Sequence, residues 1–192
     1  MIRRSLLVFL ILAAAASACA PNTVILTPTN YYITYTPSVV NSAAGSGGML
    51  VEIVGNPFDV DQADLEQVVT SAMKGSHFGP PVDFVTVKPD GFTSPYRIVM
   101  VFDDTRNYTE TKLCKDGTSI EPGTGGEYVM VHAALCAAKQ PLTGVSGRVG
   151  GVTDYVTSPD DWKFHQLIKQ ITINLLPPSN PDRRRDNPSI IL

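Results

Sequence analysis

Glu127–Val149, EYVMVHAALCAAKQPLTGVSGRV, is the stretch whose reading decides the fold. Tyr128, Val129, Met130 and Val131 form a β-branched and aromatic run suited to a pleated, half-buried surface. His132 to Ala138 is richer in alanine, which leaves a helix over VMVHAALCAAK open. The residues after Lys139 favour the strand. Gln140-Pro141 breaks a helix, because proline lacks the N–H and restricts the residue before it. Thr143, Val145, Gly147 and Val149 then alternate with Gly144, Ser146 and Arg148, a period of two. The stretch therefore predicts two antiparallel strands joined by a short turn. Gly144 and Gly147, inside the second strand, predict a bulge, a bend or a close approach of another group.

Working outward, Tyr96–Phe102, YRIVMVF, is apolar on both alternating faces and reads as a central strand. Met49–Val54 and Phe84–Val87 read as shorter strands. Asp61–Lys74 reads as a helix, with Leu65, Val68, Val69 and Ala72 on one face and Gly75 as its stop. Ser158-Pro159-Asp160-Asp161 predicts a second helix start, with Ser158 as cap. Phe164, Leu167, Ile168, Ile171 and Leu175 supply its apolar face, and Pro177-Pro178 ends it. The predicted fold is α+β: an antiparallel sheet of about four to five strands with two helices packed on one face. Asp103–Gly126 is predicted to be a long polar loop.

The expected organisation is a signal peptide over 1–18, a linker over 19–48, one α+β domain over 49–178 and a disordered tail over 179–192. Ala20–Gly48 has the Thr, Pro, Asn, Ser and Gly content of a tether, closed by Gly45-Ser46-Gly47-Gly48. Fully flexible, it would span about 30 Å. Its Thr23–Thr27 and Tyr31–Thr36 pieces have β propensity and leave an edge strand or a partner contact open. The polar, Pro-rich tail predicts that deleting Ser179–Leu192 leaves stability unchanged.

Arg3 and Arg4, the apolar run Ser5–Ala16 and the small residues Ala16-Ser17-Ala18 have the pattern of a secretory leader. Losing the two arginines takes the formal charge from −3 to −5, which argues against a general nucleic-acid binder. Cys19 comes directly after, and Ala16-Ser17-Ala18-Cys19 resembles the lipobox of bacterial lipoproteins. The resemblance covers the leader alone and departs from the usual pattern at Ala16, where leucine is commonest. It implies lipidation of Cys19 and, with Ala20 next, anchoring at the outer membrane. The alternative is ordinary cleavage after Ala18 or Ala20.

Export predicts a disulfide between Cys114 and Cys136, the two cysteines left outside the leader. His77, His132 and His165 show no paired metal-ligand spacing, so no metal is expected. Asp103 and Asp104, with Glu110, Asp116, Glu121 and Glu127 after them, are the carboxylates from which acid–base chemistry or cation binding could be built. Gly144-Val145-Ser146-Gly147 lacks the G-x-S-x-G pattern and lies in a predicted strand, unlike a nucleophile elbow. No nucleotide motif occurs and no cofactor is expected. Arg183–Arg185 and the apolar Ile190–Leu192 are further candidate contacts for lipid or a partner. The leading expectation is a periplasmic lipoprotein that works by binding. It would touch the lipid bilayer through acylated Cys19, and an envelope protein. The alternative is a secreted hydrolase using acidic residues near Asp103 and Asp104.

Overall fold

The computed structural model describes residues 24–102, 107–121, 128–151 and 154–182. In chain order its elements are β1 (Ile25–Leu26), β2 (Asn30–Tyr31), α1 (Ser38–Ala44), β3 (Met49–Val54), α2 (Gln62–Met73), β4 (Phe84–Val85), β5 (Tyr96–Phe102), α3 (Glu110–Asp116), a 3-10 turn (Gly117–Ser119), β6 (Tyr128–Ala137), β7 (Gln140–Gly150) and α4 (Trp162–Leu175). The α+β class holds. The sheet is larger than predicted, with seven strands in the order β1-β7-β6-β5-β3-β4 and β2 also paired to β7. It is also mixed: β3 runs parallel to both β4 and β5, and the other pairs are antiparallel. The chain leaves β3, passes through α2 and returns to the sheet. A helical crossover of that kind delivers a parallel strand.

The 127–149 stretch forms the expected hairpin, from Tyr128 on, with its turn at Ala138-Lys139. Ala138 takes a positive φ of 50° there. Pro141 lies inside β7, where the register slips between Leu135 and Cys136. A bulge is one of the few places where a strand accepts proline. β5 is central, flanked by β3 and β6.

Side chains alternate across the sheet, so each strand feeds two faces. On the first face Ile98, Met100, Val131 and Leu135 meet α2 and α4 through Leu65, Val69, Leu167 and Ile171. Phe164 is buried there, its ring edge-on to Phe58 at 5.0 Å and tilted against Phe102 at 5.9 Å. α4 begins three residues later than predicted. Asp161 caps it, its Oδ1 accepting from the Lys163 N–H at 2.9 Å, while the Ser158 hydroxyl accepts from the Asp160 N–H.

Three predicted irregular regions hold structure. From Val24 onward the expected linker is part of the domain. β1 and β2 add to β7, α1 buries Val39, Val40 and Ala43, and Tyr35 is fully buried with its hydroxyl donating to the Pro177 carbonyl at 2.7 Å. The expected polar loop contains α3, started by Thr109, whose hydroxyl accepts from the Lys112 N–H. The expected tail begins packed: Asn180 is buried and donates through Nδ2 to the Tyr32 carbonyl at 2.8 Å. Removing Ser179 onward would remove that bond and the one Asn180 makes to the Tyr35 carbonyl at 3.4 Å, so truncation there is expected to cost stability. Residues 183–192 lie outside the described part of the chain.

Candidate functional site

On its second face the sheet carries the groups with chemical potential. Val99, Val101, Ala134 and Cys136 form an apolar floor, and α3 lies over it with Leu113 and Cys114 facing down. The Cys114 and Cys136 sulfurs are bonded at 1.98 Å with Cα atoms 5.5 Å apart, so the predicted disulfide pins α3 to β6. Arg97 adds a second clamp. Its Nε donates to Glu52 Oε2 at 3.1 Å, its Nη2 to the Cys114 carbonyl at 2.7 Å, and its Nη1 to the Ala138 carbonyl at the hairpin turn. The ion pair is about four-fifths buried on both sides, so water screens it little.

Glu110 opens α3 and reaches over Gly144 of β7. A Cβ on Gly144 would sit 2.0 Å from Glu110 Cγ. The glycine is therefore the close approach that its place in the strand predicted. The carboxylate accepts from Asn30 Nδ2 at 2.6 Å and from the Tyr32 hydroxyl at 3.3 Å. Burial raises the Tyr32 phenol above its usual value, and the adjacent Glu110 charge raises it further. Beside this cluster runs an apolar groove of about 590 Å³ between Tyr32-Ile33-Thr34 and the start of β7 at Gln140-Pro141-Leu142. Ile33 stands 64% exposed at its rim.

His132 and Ser146 face each other across β6 and β7, with Nδ1 and Oγ 2.8 Å apart. The Tyr108 ring stands edge-on to the imidazole at 5.5 Å. A hydroxyl within hydrogen-bond reach of a histidine nitrogen is one component of nucleophilic chemistry. Ser146 nevertheless sits mid-strand. Its N–H donates to the Thr27 hydroxyl at 3.0 Å, so that N–H is already engaged within the sheet. Ser146 lines a cavity of about 260 Å³ with Ile25, Thr27, Met130 and Arg148.

The remaining sequence candidates are dispersed. His77 stacks edge-on to Phe84 at 5.6 Å, and His165 lies on the flank of α4. Asp116 pairs with Lys112 within α3 at 2.7 Å. Among the described residues no three His, Cys, Asp or Glu side chains converge as metal ligands. Cys19, Asp103, Asp104, Glu127, Arg183–Arg185 and Ile190–Leu192 lie outside the described residues. The Glu110–Asn30–Tyr32 cluster is what sequence reasoning missed. Its signals were the Thr109 cap and the Gly117 stop, which bracket a helix that places Glu110.

No protein-family model matches this chain, and no curated protein matches it either. No helix among the described residues is long and apolar enough to cross a membrane. Among solved structures the chain is similar to a PelC dodecamer from Paraburkholderia phytofirmans, a leucine-to-methionine variant. The likeness has 11% identity and a TM-score of 0.35, over 82% of this chain and 96% of that one, and at that level it carries no argument.

Proposed function

We propose that this protein is an exported lipoprotein of the bacterial envelope, anchored through acylated Cys19, whose domain works by binding. The observation that carries the reading is the Cys114–Cys136 disulfide, both sulfurs fully buried beneath α3. Such a bond persists in an oxidising compartment, which agrees with a leader of the secretory pattern. The binding surface we assign is the groove beside Tyr32, Ile33 and Pro141. Apolar lining with a few polar groups at the rim is what a recognition pocket offers.

Two measurements test this reading. Mass spectrometry of the membrane-extracted N-terminus is expected to show an acylated cysteine at position 19, and Cys19→Ala to release the protein to the soluble fraction. An unmodified terminus at Pro21 sinks the anchor. A photoreactive residue at Ile33 is expected to form a discrete protein adduct in intact cells, absent when the probe stands at Lys169. Equal labelling from both positions sinks the groove.

A further inference from the structure

We infer that the end of the sheet formed by Ile25, Tyr128, Arg148 and Trp162 rests on the phospholipid surface. The inference deepens the proposed anchoring at Cys19 and rests on it. Four residues separate Cys19 from Val24, the first described residue, a span of five Cα–Cα steps. Whatever their conformation, five such steps reach at most about 18 Å. A domain of this size has a radius of gyration of about 15 Å. An anchor so short holds the domain against the bilayer and restricts which side can face it.

The topology says which side that is. β1 runs antiparallel to β7 with Ile25 opposite Arg148, so the chain enters from the Gly150 end of β7. β6 starts at that end, with Tyr128 opposite Gly150. α4 starts there too. The Thr143 hydroxyl donates to the Leu175 carbonyl, and Gly147 lies against Leu167 and Ile171, so the helix runs antiparallel to β7 with Trp162 level with Gly150.

The side chains at this end have the chemistry of a membrane–water boundary. Trp162 is 52% exposed and Tyr155 56% exposed. Tryptophan and tyrosine favour that boundary because one part of each ring is apolar and one part polar. On the opposite face of the same end Ile25 is exposed beside half-buried Met130. Arg148 lies over the Tyr128 ring, its Cζ 4.6 Å from the centroid, and presents a cation suited to a lipid phosphate. Carboxylates at this end are partly neutralised: Lys163 pairs with Asp154 at 2.6 Å and approaches Asp161 at 3.9 Å.

The chain supplies its own probe, because Trp162 is its single tryptophan. With Cys114 and Cys136 bonded, Cys19 is the single free thiol of the mature chain prepared without acylation. The mature chain beginning at Cys19 is coupled through that thiol to a maleimide lipid in phosphatidylethanolamine–phosphatidylglycerol vesicles. Trp162 emission is then expected to shift to the blue, to be quenched by brominated lipid and to lose most of its quenching by aqueous acrylamide. The pair Ile25→Asp and Arg148→Glu is expected to reverse all three, with Tyr155→Asp as a second variant at a separate exposed position. Acrylamide quenching equal with and without vesicles would overturn the inference, as would lipid quenching that survives both variants. Because the anchor is attached chemically, a failure of acylation in cells counts against the proposed function and leaves this result standing.

Discussion

The two faces of the sheet are held by different physics. The first face is dry and helix-covered, with Phe164, Leu167, Ile168 and Ile171 fully buried against Ile98 and Met100. Apolar burial there is non-directional, and the Thr143 hydroxyl's bond to the Leu175 carbonyl is a directional tie within it. The second face has a smaller apolar floor and is closed by the short helix α3. A helix of seven residues cannot hold itself in water. It stays because a disulfide, the Arg97 clamp and the Glu110 hydrogen bonds each tie it to a named atom. The first face therefore carries the stability of the domain, and the second carries its directional contacts.

That contrast breaks first at Phe164. Phe164→Ala removes a ring packed between Phe58 and Phe102, and a cost of about 3–5 kcal/mol is expected. Urea unfolding measures it, and a loss below about 1 kcal/mol would contradict the assignment of stability to this face. Replacing Cys114 and Cys136 together by alanine opens a loop closed over a separation of 22 residues. The chain-entropy model puts that at roughly 3 kcal/mol. The location of the effect matters more than its size. Hydrogen exchange is expected to quicken over Glu110–Asp116 while β5 stays protected, and equal loss at β5 would mean that the two faces open as one unit.

A smaller and more local effect is expected at Gly144. Gly144→Ala drives a methyl into Glu110 Cγ at 2.0 Å and should cost about 1–3 kcal/mol. Glu110→Ala in the same chain should recover most of that cost. Additive losses in the double variant would mean that the helix does not lean on the glycine.

Long apolar runs were legible in the sequence because period and burial agree in them. Tyr96–Phe102 and the Phe164–Leu175 face could be read directly, and so could the disulfide once export was assumed. The β propensity around Ile25 and Tyr31 left an edge strand open, which β1 and β2 bear out, but two residues carry no period from which to bound a strand. They are strands because β7 offers an open edge to Ile25 and Asn30. α1 is likewise too short for a helical repeat, and its Ser-Ala-Ala-Gly end looks like a linker by composition. The parallel pairing of β3 with β5 was within reach, because strand–helix–strand order implies a crossover. Grouping the later strands as one antiparallel set hid it. At the candidate site the closeness of His132 to Ser146 comes from hairpin register, which the two-residue turn at Ala138-Lys139 and the one-residue slip between Leu135 and Cys136 fix together.

The smallest expected effect separates the faces by pH. Tyr35 is fully buried beside the first face, and its hydroxyl donates to the Pro177 carbonyl. Burial first, then the neighbouring Tyr31, raises its phenol well above the ordinary value of 10.0. Below about pH 10 the proton is bound in both folded and unfolded chains, and the phenol adds no pH dependence. Above that value the unfolded phenol ionises while the buried one keeps its proton. The unfolded state then binds fewer protons, and stability falls as pH rises, by about 1.4 kcal/mol per pH unit for one such group. Tyr32 on the second face is raised as well, through burial and Glu110, and acts with the same sign. Lys163, raised chiefly by its hydrogen bond to Asp154, does so too. Tyr35→Phe should therefore lower stability by about 1 kcal/mol at neutral pH through the lost hydrogen bond, and flatten the alkaline slope by close to one proton. Glu110→Gln, which removes the charge beside Tyr32, should flatten it by less. Urea midpoints measured at intervals from neutral pH upward give both slopes. An unchanged slope in Tyr35→Phe would show that the alkaline loss comes from the polar face instead.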